Sequence, residues 1–188
     1  MSNDPIVAYA RLNARIMPID RGGRYADPLQ EALESNGFAE VTGGGTMQSE
    51  NGEIDYCGID LDLHNLDEGI PFICDFLSEC GAPRGSVLQY ELDGRQQETP
   101  FGFLEGLAIY FNGTDLAEEV YKECDINHVY DEINRLLGER GEIQGHWEGL
   151  TETALYLYGY SVTEMKDLIA EFMAGYPLCD QARFETIA

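Results

Sequence analysis

Residues 53–63 read EIDYCGIDLDL, and residues 151–158 read TETALYLY. In the first stretch Ile59, Leu61 and Leu63 alternate with Asp60, Asp62 and the following His64. In the second, Leu155 and Leu157 alternate with Tyr156 and Tyr158. A period of two means an extended strand with one apolar face. Each stretch then meets a polar break, at Asn65–Glu68 and at Gly159–Glu164. Each break leads into an amphipathic run (Ile70–Cys80; Met165–Ala174), a Gly/Pro stop (Gly81–Gly85; Gly175–Pro177) and a short closing strand (Ser86–Leu92; Arg183–Ile187). The offset between the two successions is about 95 residues, too long for a solenoid period and suited to two copies of a small domain.

Upstream of the first stretch, Ile6, Ala8, Ala10, Leu12, Ala14 and Ile16 alternate with Val7, Tyr9, Arg11, Asn13 and Arg15, which predicts a long first strand. Pro18–Ala26 reads as a polar loop, and Asp27-Pro28 opens a helix with Asp at the cap and Pro in the first turn. Gly37 ends that helix. Phe38–Gln48 and Glu53–Leu63 form a hairpin turning at Glu50-Asn51-Gly52, with Gly43–Gly45 marking a bulge or a flexible stretch. Pro71 belongs in the first turn of the helix that follows.

Downstream, Leu104–Phe111 is a strand, and Asp125 caps the helix Ile126–Leu137. Glu142–Trp147 pairs with Thr151–Tyr158. Ser161-Val162-Thr163-Glu164 is a capping box for Val162–Ala174. The polar connector Asp93–Gly102 separates the halves, giving lobes 1–98 and 99–188.

Each half thus runs strand, helix, strand, strand, helix, strand. That succession resembles the ferredoxin-like βαββαβ fold, here doubled in tandem as an α+β protein. The resemblance is one of topology, and it implies helices on one face of each antiparallel sheet with the other face open.

Charge narrows the partners. The chain has 188 residues, 11 Lys and Arg, 35 Asp and Glu, and a net charge of −24. Residues 1–103 hold 18 acids and 6 bases, and residues 104–188 hold 17 and 5. The charge therefore coats the folded body evenly. It repels nucleic acid and anionic membranes and attracts basic proteins or cations. No apolar run approaches the length of a membrane span, and the amino-terminal residues lack the pattern of a signal peptide. Five cysteines, an odd number with no CxxC pair, read as free thiols in a reducing cytoplasm.

The open faces hold the candidate residues. In the first half Arg11 and Arg15 are expected across from Asp60 and Asp62, as cross-strand ion pairs. A metal at Asp60, Asp62 and His64 is disfavoured, because alternate strand residues lie about 6.6 Å apart per step. In the second half Tyr110, Tyr156 and Tyr158 share a face. They form either a protein-binding platform or an interface core, within the chain or across a homodimer. An aromatic sheet face is similar to that of RNA-recognition domains, but those need basic flanks. His146, Trp147 and Glu148 crowd one hairpin with Glu152, a weak candidate for acid–base work. No nucleotide-binding, hydrolase or metalloprotease motif occurs, and no cofactor is implied.

The expected function is an acidic cytoplasmic binding protein for a basic protein partner. Immunity-type proteins and acidic nuclease inhibitors are similar in composition. Two alternatives stand beside it. One is a small-ligand regulator of ACT-like architecture, with Gly85 and Gly43–Gly45 lining its site. The other is an enzyme using the crevice between lobes, with His146, Glu148 and Glu152.

Overall fold

A computed structural model describes residues 5–188. The chain divides into two compact units. The first comprises residues up to Ser49 together with Ile54–Phe103; the second comprises Glu50–Glu53 and Leu104–Ala188. The boundary read from sequence at 98/99 lies inside a strand of the first unit, and the division falls after Phe103.

In the first unit, β1 (Ile6–Leu12) is followed by helices α1 (Pro18–Arg21) and α2 (Asp27–Asn36) and strands β2 (Ala39–Gln48) and β3 (Ile54–Leu63). Helix α3 (Leu66–Glu79) and strands β4 (Ser86–Leu92) and β5 (Arg95–Phe101) complete it. The sheet order is β2-β3-β1-β4-β5, antiparallel throughout. Ala8, Ala10 and Leu12 on β1 and Cys57, Ile59, Leu61 and Leu63 on β3 are buried with Leu29 and Leu33 of α2 and Ile73 and Leu77 of α3. The alternation seen in sequence is thus the helix-covered side.

Four local readings change. The strand β1 stops at Leu12, although Ala14 and Ile16 remain buried. Pro18–Ala26 is helical: a π turn at Gly22–Ala26 links α1 to α2, and the Asp27 N–H donates to the Gly22 carbonyl. Pro28 explains the π turn, because a proline inside a helix has no N–H for the carbonyl four residues back and its ring crowds that carbonyl. Asp27 is therefore inside a helical run and caps nothing. The third change is β5, a strand where a connector was expected. Asp93 (φ 52°) and Gly94 (φ 73°) form the two-residue turn whose positive φ values match the twist of a hairpin. Pro71 also lies deeper in α3 than a first-turn position, on the exposed side.

In the second unit β6 (Glu105–Asn112), α4 (Glu118–Glu123), α5 (Ile126–Leu137), β7 (Gly141–Glu148), β8 (Glu152–Gly159), α6 (Val162–Gly175) and β9 (Arg183–Thr186) follow in order. The sheet order is β7-β8-β6-β9. Leu107, Ile109, Phe111, Leu155 and Leu157 pack against Val129 and Ile133 of α5 and Met165 and Ile169 of α6. Asp125 caps α5 by accepting from the Asn127 N–H at 2.9 Å, and Ser161 caps α6 by accepting from the Glu164 N–H at 3.3 Å. Asn65 does the same for α3.

The first four strands of the first unit and the four of the second share one order, with the second strand at the edge and the first and third central. Both units are ferredoxin-like βαββαβ folds in tandem, and the first carries β5 as an added strand. Among the described residues, no helix is long and apolar enough to cross a membrane.

Candidate functional site

The tyrosines come together as expected, but on a covered surface. Tyr156 pairs with Ala108, and Tyr110 with Ala154, so both rings stand on the side of the sheet away from the helices. Tyr110, Tyr156 and Tyr158 are 3%, 0% and 1% exposed and form a second, smaller core with Leu104, Ala108 and Ala154. The Tyr110 hydroxyl donates to Glu53 Oε1 at 2.5 Å, and the Tyr156 hydroxyl donates to the same oxygen at 2.7 Å. A ring with almost no surface in contact with water offers no platform to a partner; it anchors the Glu50–Glu53 turn instead.

Arg183 on β9 extends this cluster. Its guanidinium lies 3.6 Å from the centre of the Tyr110 ring. Its Nε and Nη2 donate to the two carboxylate oxygens of Glu152 at 2.9 and 3.0 Å. Those hydrogen bonds hold the Glu152 carboxyl below its ordinary range, against a smaller opposing effect of burial. Glu152 is thus committed to a forked ion pair and is not poised for acid–base work.

His146, Trp147 and Glu148 separate. An irregular register between Ile143 and Gly145 leaves Gln144 unpaired across from β8. After it, His146 pairs with Leu155 and Glu148 with Thr153, while Trp147 pairs with Ala154. His146 and Glu148 therefore share one face, both exposed, and Trp147 is on the other. The Trp147 indole N–H donates to the Asn51 carbonyl at 3.3 Å. Trp147 is half-buried against the tyrosine cluster.

On the first sheet the uncovered face carries a different set. The register places Tyr9 across from Asp60, Val7 across from Asp62, and Arg11 across from Gly58. The expected pairs of Arg11 and Arg15 with Asp60 and Asp62 are therefore absent from the ladder. Arg11 instead lies 4.2 Å above the Tyr56 ring, and Arg15 follows the end of β1. The phenol end of Tyr9 lies against Gly58; a Cβ there would stand 2.2 Å from its phenol carbon and oxygen. Burial, reinforced by Tyr56 and Asp60, raises the Tyr9 hydroxyl above its usual range, so the group is a neutral donor.

Beside Tyr9, on β4 and β5, Gln89 pairs with Glu98 and Glu91 with Gln96. Val7, Tyr9, Gln89, Glu91 and Gln96 line a groove of about 330 Å³. Val7 is 72% exposed, and Asp60, Glu91 and Glu98 are exposed as well. The alternation on β1 pointed to this face, but it gave no sign of the β4–β5 hairpin that widens it.

The other candidates hold little chemistry. Burial pushes the Cys57 thiol up to about 12 and those of Cys74 and Cys179 up to about 11, so none of these is a ready nucleophile. Among the described residues no cluster of His, Cys, Asp or Glu could hold a metal, Asp60, Asp62 and His64 included. Of the glycines in the ACT-like reading, Gly45 has open space where a Cβ would stand, while Gly43, Gly44 and Gly85 have close neighbours. Asn13 Nδ2 is 3.0 Å from where a Gly85 Cβ would be, and the Arg21 guanidinium carbon is 3.2 Å from that of Gly44. His128 is an exposed helix residue with its ring edge-on to Tyr176.

No family model and no curated protein matches the chain. Among solved structures it is similar to the first two RRM domains of yeast poly(U) binding protein, at 10% identity over 97% of this chain and 99% of that one, with a TM-score of 0.26. It is also similar to a protein named as a monooxygenase from Fusobacterium nucleatum, at 10% identity over 99% and 92%, with a TM-score of 0.29. Neither likeness bears on what this chain binds or does.

Proposed function

We propose that this protein is an acidic binding protein whose first unit receives a basic protein partner on the uncovered face of its sheet. One observation carries the reading: Val7, 72% exposed, stands beside Tyr9 among the carboxylates Asp60, Asp62, Glu91 and Glu98. An apolar centre supplies contact area once water leaves, and an acidic rim selects a cationic partner and speeds its approach. Tyr9 adds an aromatic body with a neutral hydroxyl, the kind of side chain that anchors interfaces. The net charge of −24 extends the attraction over the whole chain.

Affinity capture from the native cell tests this, with the intact chain and its Val7→Arg variant compared at low and high salt. A basic protein should be retained by the first, released by salt and lost from the second. The same partners on both baits, or partners without a basic surface, would contradict it.

A further inference from the structure

The second unit contains a larger hollow that the partner-binding reading leaves unused. It measures about 520 Å³, within the range of small-molecule sites. It sits at the carboxyl-terminal end of α6, between that end and the segment leading into α4. Its apolar wall is Leu116, Val120 and Met173. Its polar wall holds Asp115 and Asp180, both exposed, and no lining residue is basic.

Three features set the same electrostatic sign. A helix of 14 residues ends here, and the carbonyl end of a helix carries partial negative charge. That last turn has no basic side chain to offset it. The two carboxylates add to the field. Each accepts one neutral hydrogen bond, Asp115 from the Thr114 hydroxyl at 3.2 Å and Asp180 from the Gln181 N–H at 3.1 Å. A carboxylate has further lone pairs beyond one such bond. Gln181, which follows Asp180 in the lining, has φ 60°, a left-handed conformation, and its side-chain oxygen accepts from Asn112 Nδ2 at 3.2 Å.

We propose that this hollow is a binding site for an organic cation with an apolar body, of the alkylamine or arylalkylamine class. The ammonium is held by Asp115, Asp180 and the end of α6, and the hydrocarbon lies on Leu116, Val120 and Met173. Only a ligand with both parts uses both walls; an anion is repelled, and a bare metal ion leaves the apolar wall empty.

The test uses the intact chain labelled at its methionine methyl groups; among the described residues Met173 is the one methionine that lines the hollow. The probes are 4-phenylbutylamine and its neutral counterpart 4-phenylbutanol. The amine should shift the Met173 methyl resonance saturably at millimolar concentration, with the signal assigned by its loss in Met173→Leu. The alcohol should bind several-fold more weakly, and only the amine should weaken as salt is raised. Asp115→Asn and Asp180→Asn, exposed changes that leave the core intact, should each weaken the amine by about two- to five-fold. A Met173 signal that does not move, equal binding of amine and alcohol, or amine affinity indifferent to both salt and the two substitutions would overturn the proposal.

Discussion

The Tyr156 hydroxyl donates to Glu53 across 2.7 Å, although the two residues are 103 positions apart in the chain. Tyr110 reaches the same carboxylate oxygen, so one side chain of the β2–β3 turn answers two phenols of the second unit's minor core. Buried hydroxyls are costly to leave without an acceptor, and bonds to a carboxylate are stronger than neutral ones. Glu53→Ala should therefore destabilise the second unit by about 2–4 kcal/mol, and Tyr156→Phe by about 1–2 kcal/mol. Urea unfolding followed through Trp147, which also contacts this turn, reports both. Equal, negligible losses would mean that the contact holds nothing in place.

Gly58 is required by Tyr9 rather than by a turn. A methyl at Gly58 would meet the phenol at 2.2 Å, so the ring must leave the sheet face. Gly58→Ala should cost about 1–3 kcal/mol of stability, as overpacking does, and Gly58→Ala with Tyr9→Ala should recover part of it. Thermal unfolding of the single and double variants checks the coupling.

The Glu152–Arg183 pair gives a pH dependence of definite sign. Hydrogen bonding to Arg183 depresses the Glu152 carboxyl. A depressed carboxyl contributes stability above its unfolded value, and that contribution is lost as pH falls through the folded value. Both partners are partly exposed, at 50% and 34%, so solvent screens the pair and the effect is modest. Glu152→Gln should be less stable than the parent at neutral pH, and the gap should close on acidification into the carboxylate range. A gap that widens toward low pH would contradict the assignment.

Much of the architecture was legible in local pattern. The period of two in Ile59–Leu63 and Leu155–Leu157 named the covered faces of β3 and β8, and the caps at Asp125 and Ser161 placed two helices. Local signals also misled. Gly22-Gly23 read as part of a polar loop and Asp27-Pro28 as the start of a helix, yet a π turn at Gly22–Ala26 joins them in one helical run. The Asp93-Gly94 hairpin signal was present in the sequence, but the polar strand after it, Arg95–Phe101, hid β5.

The candidate residues depended on longer reach. That Tyr110, Tyr156 and Tyr158 share a face follows from alternation; that all three are buried, and that Glu53, more than fifty residues away, accepts from two of them, is encoded in no periodicity. The register of β1 on β3 decided that Tyr9, not Arg11, faces Asp60, and a shift of two residues would have given the ion pair expected from sequence.

The central claim is that the uncovered face of the first sheet is where a basic partner lands. Its most direct test is the Kd of the captured partner, titrated at low ionic strength against three chains: the parent, Val7→Arg and Leu150→Arg. Leu150 is fully exposed on the β7–β8 turn of the second unit and adds the same charge elsewhere. Val7→Arg should weaken binding at least about tenfold, as loss of a central contact does, and Leu150→Arg should leave it within about twofold. Equal affinities for the parent and Val7→Arg, or equal weakening by both substitutions, would contradict the account.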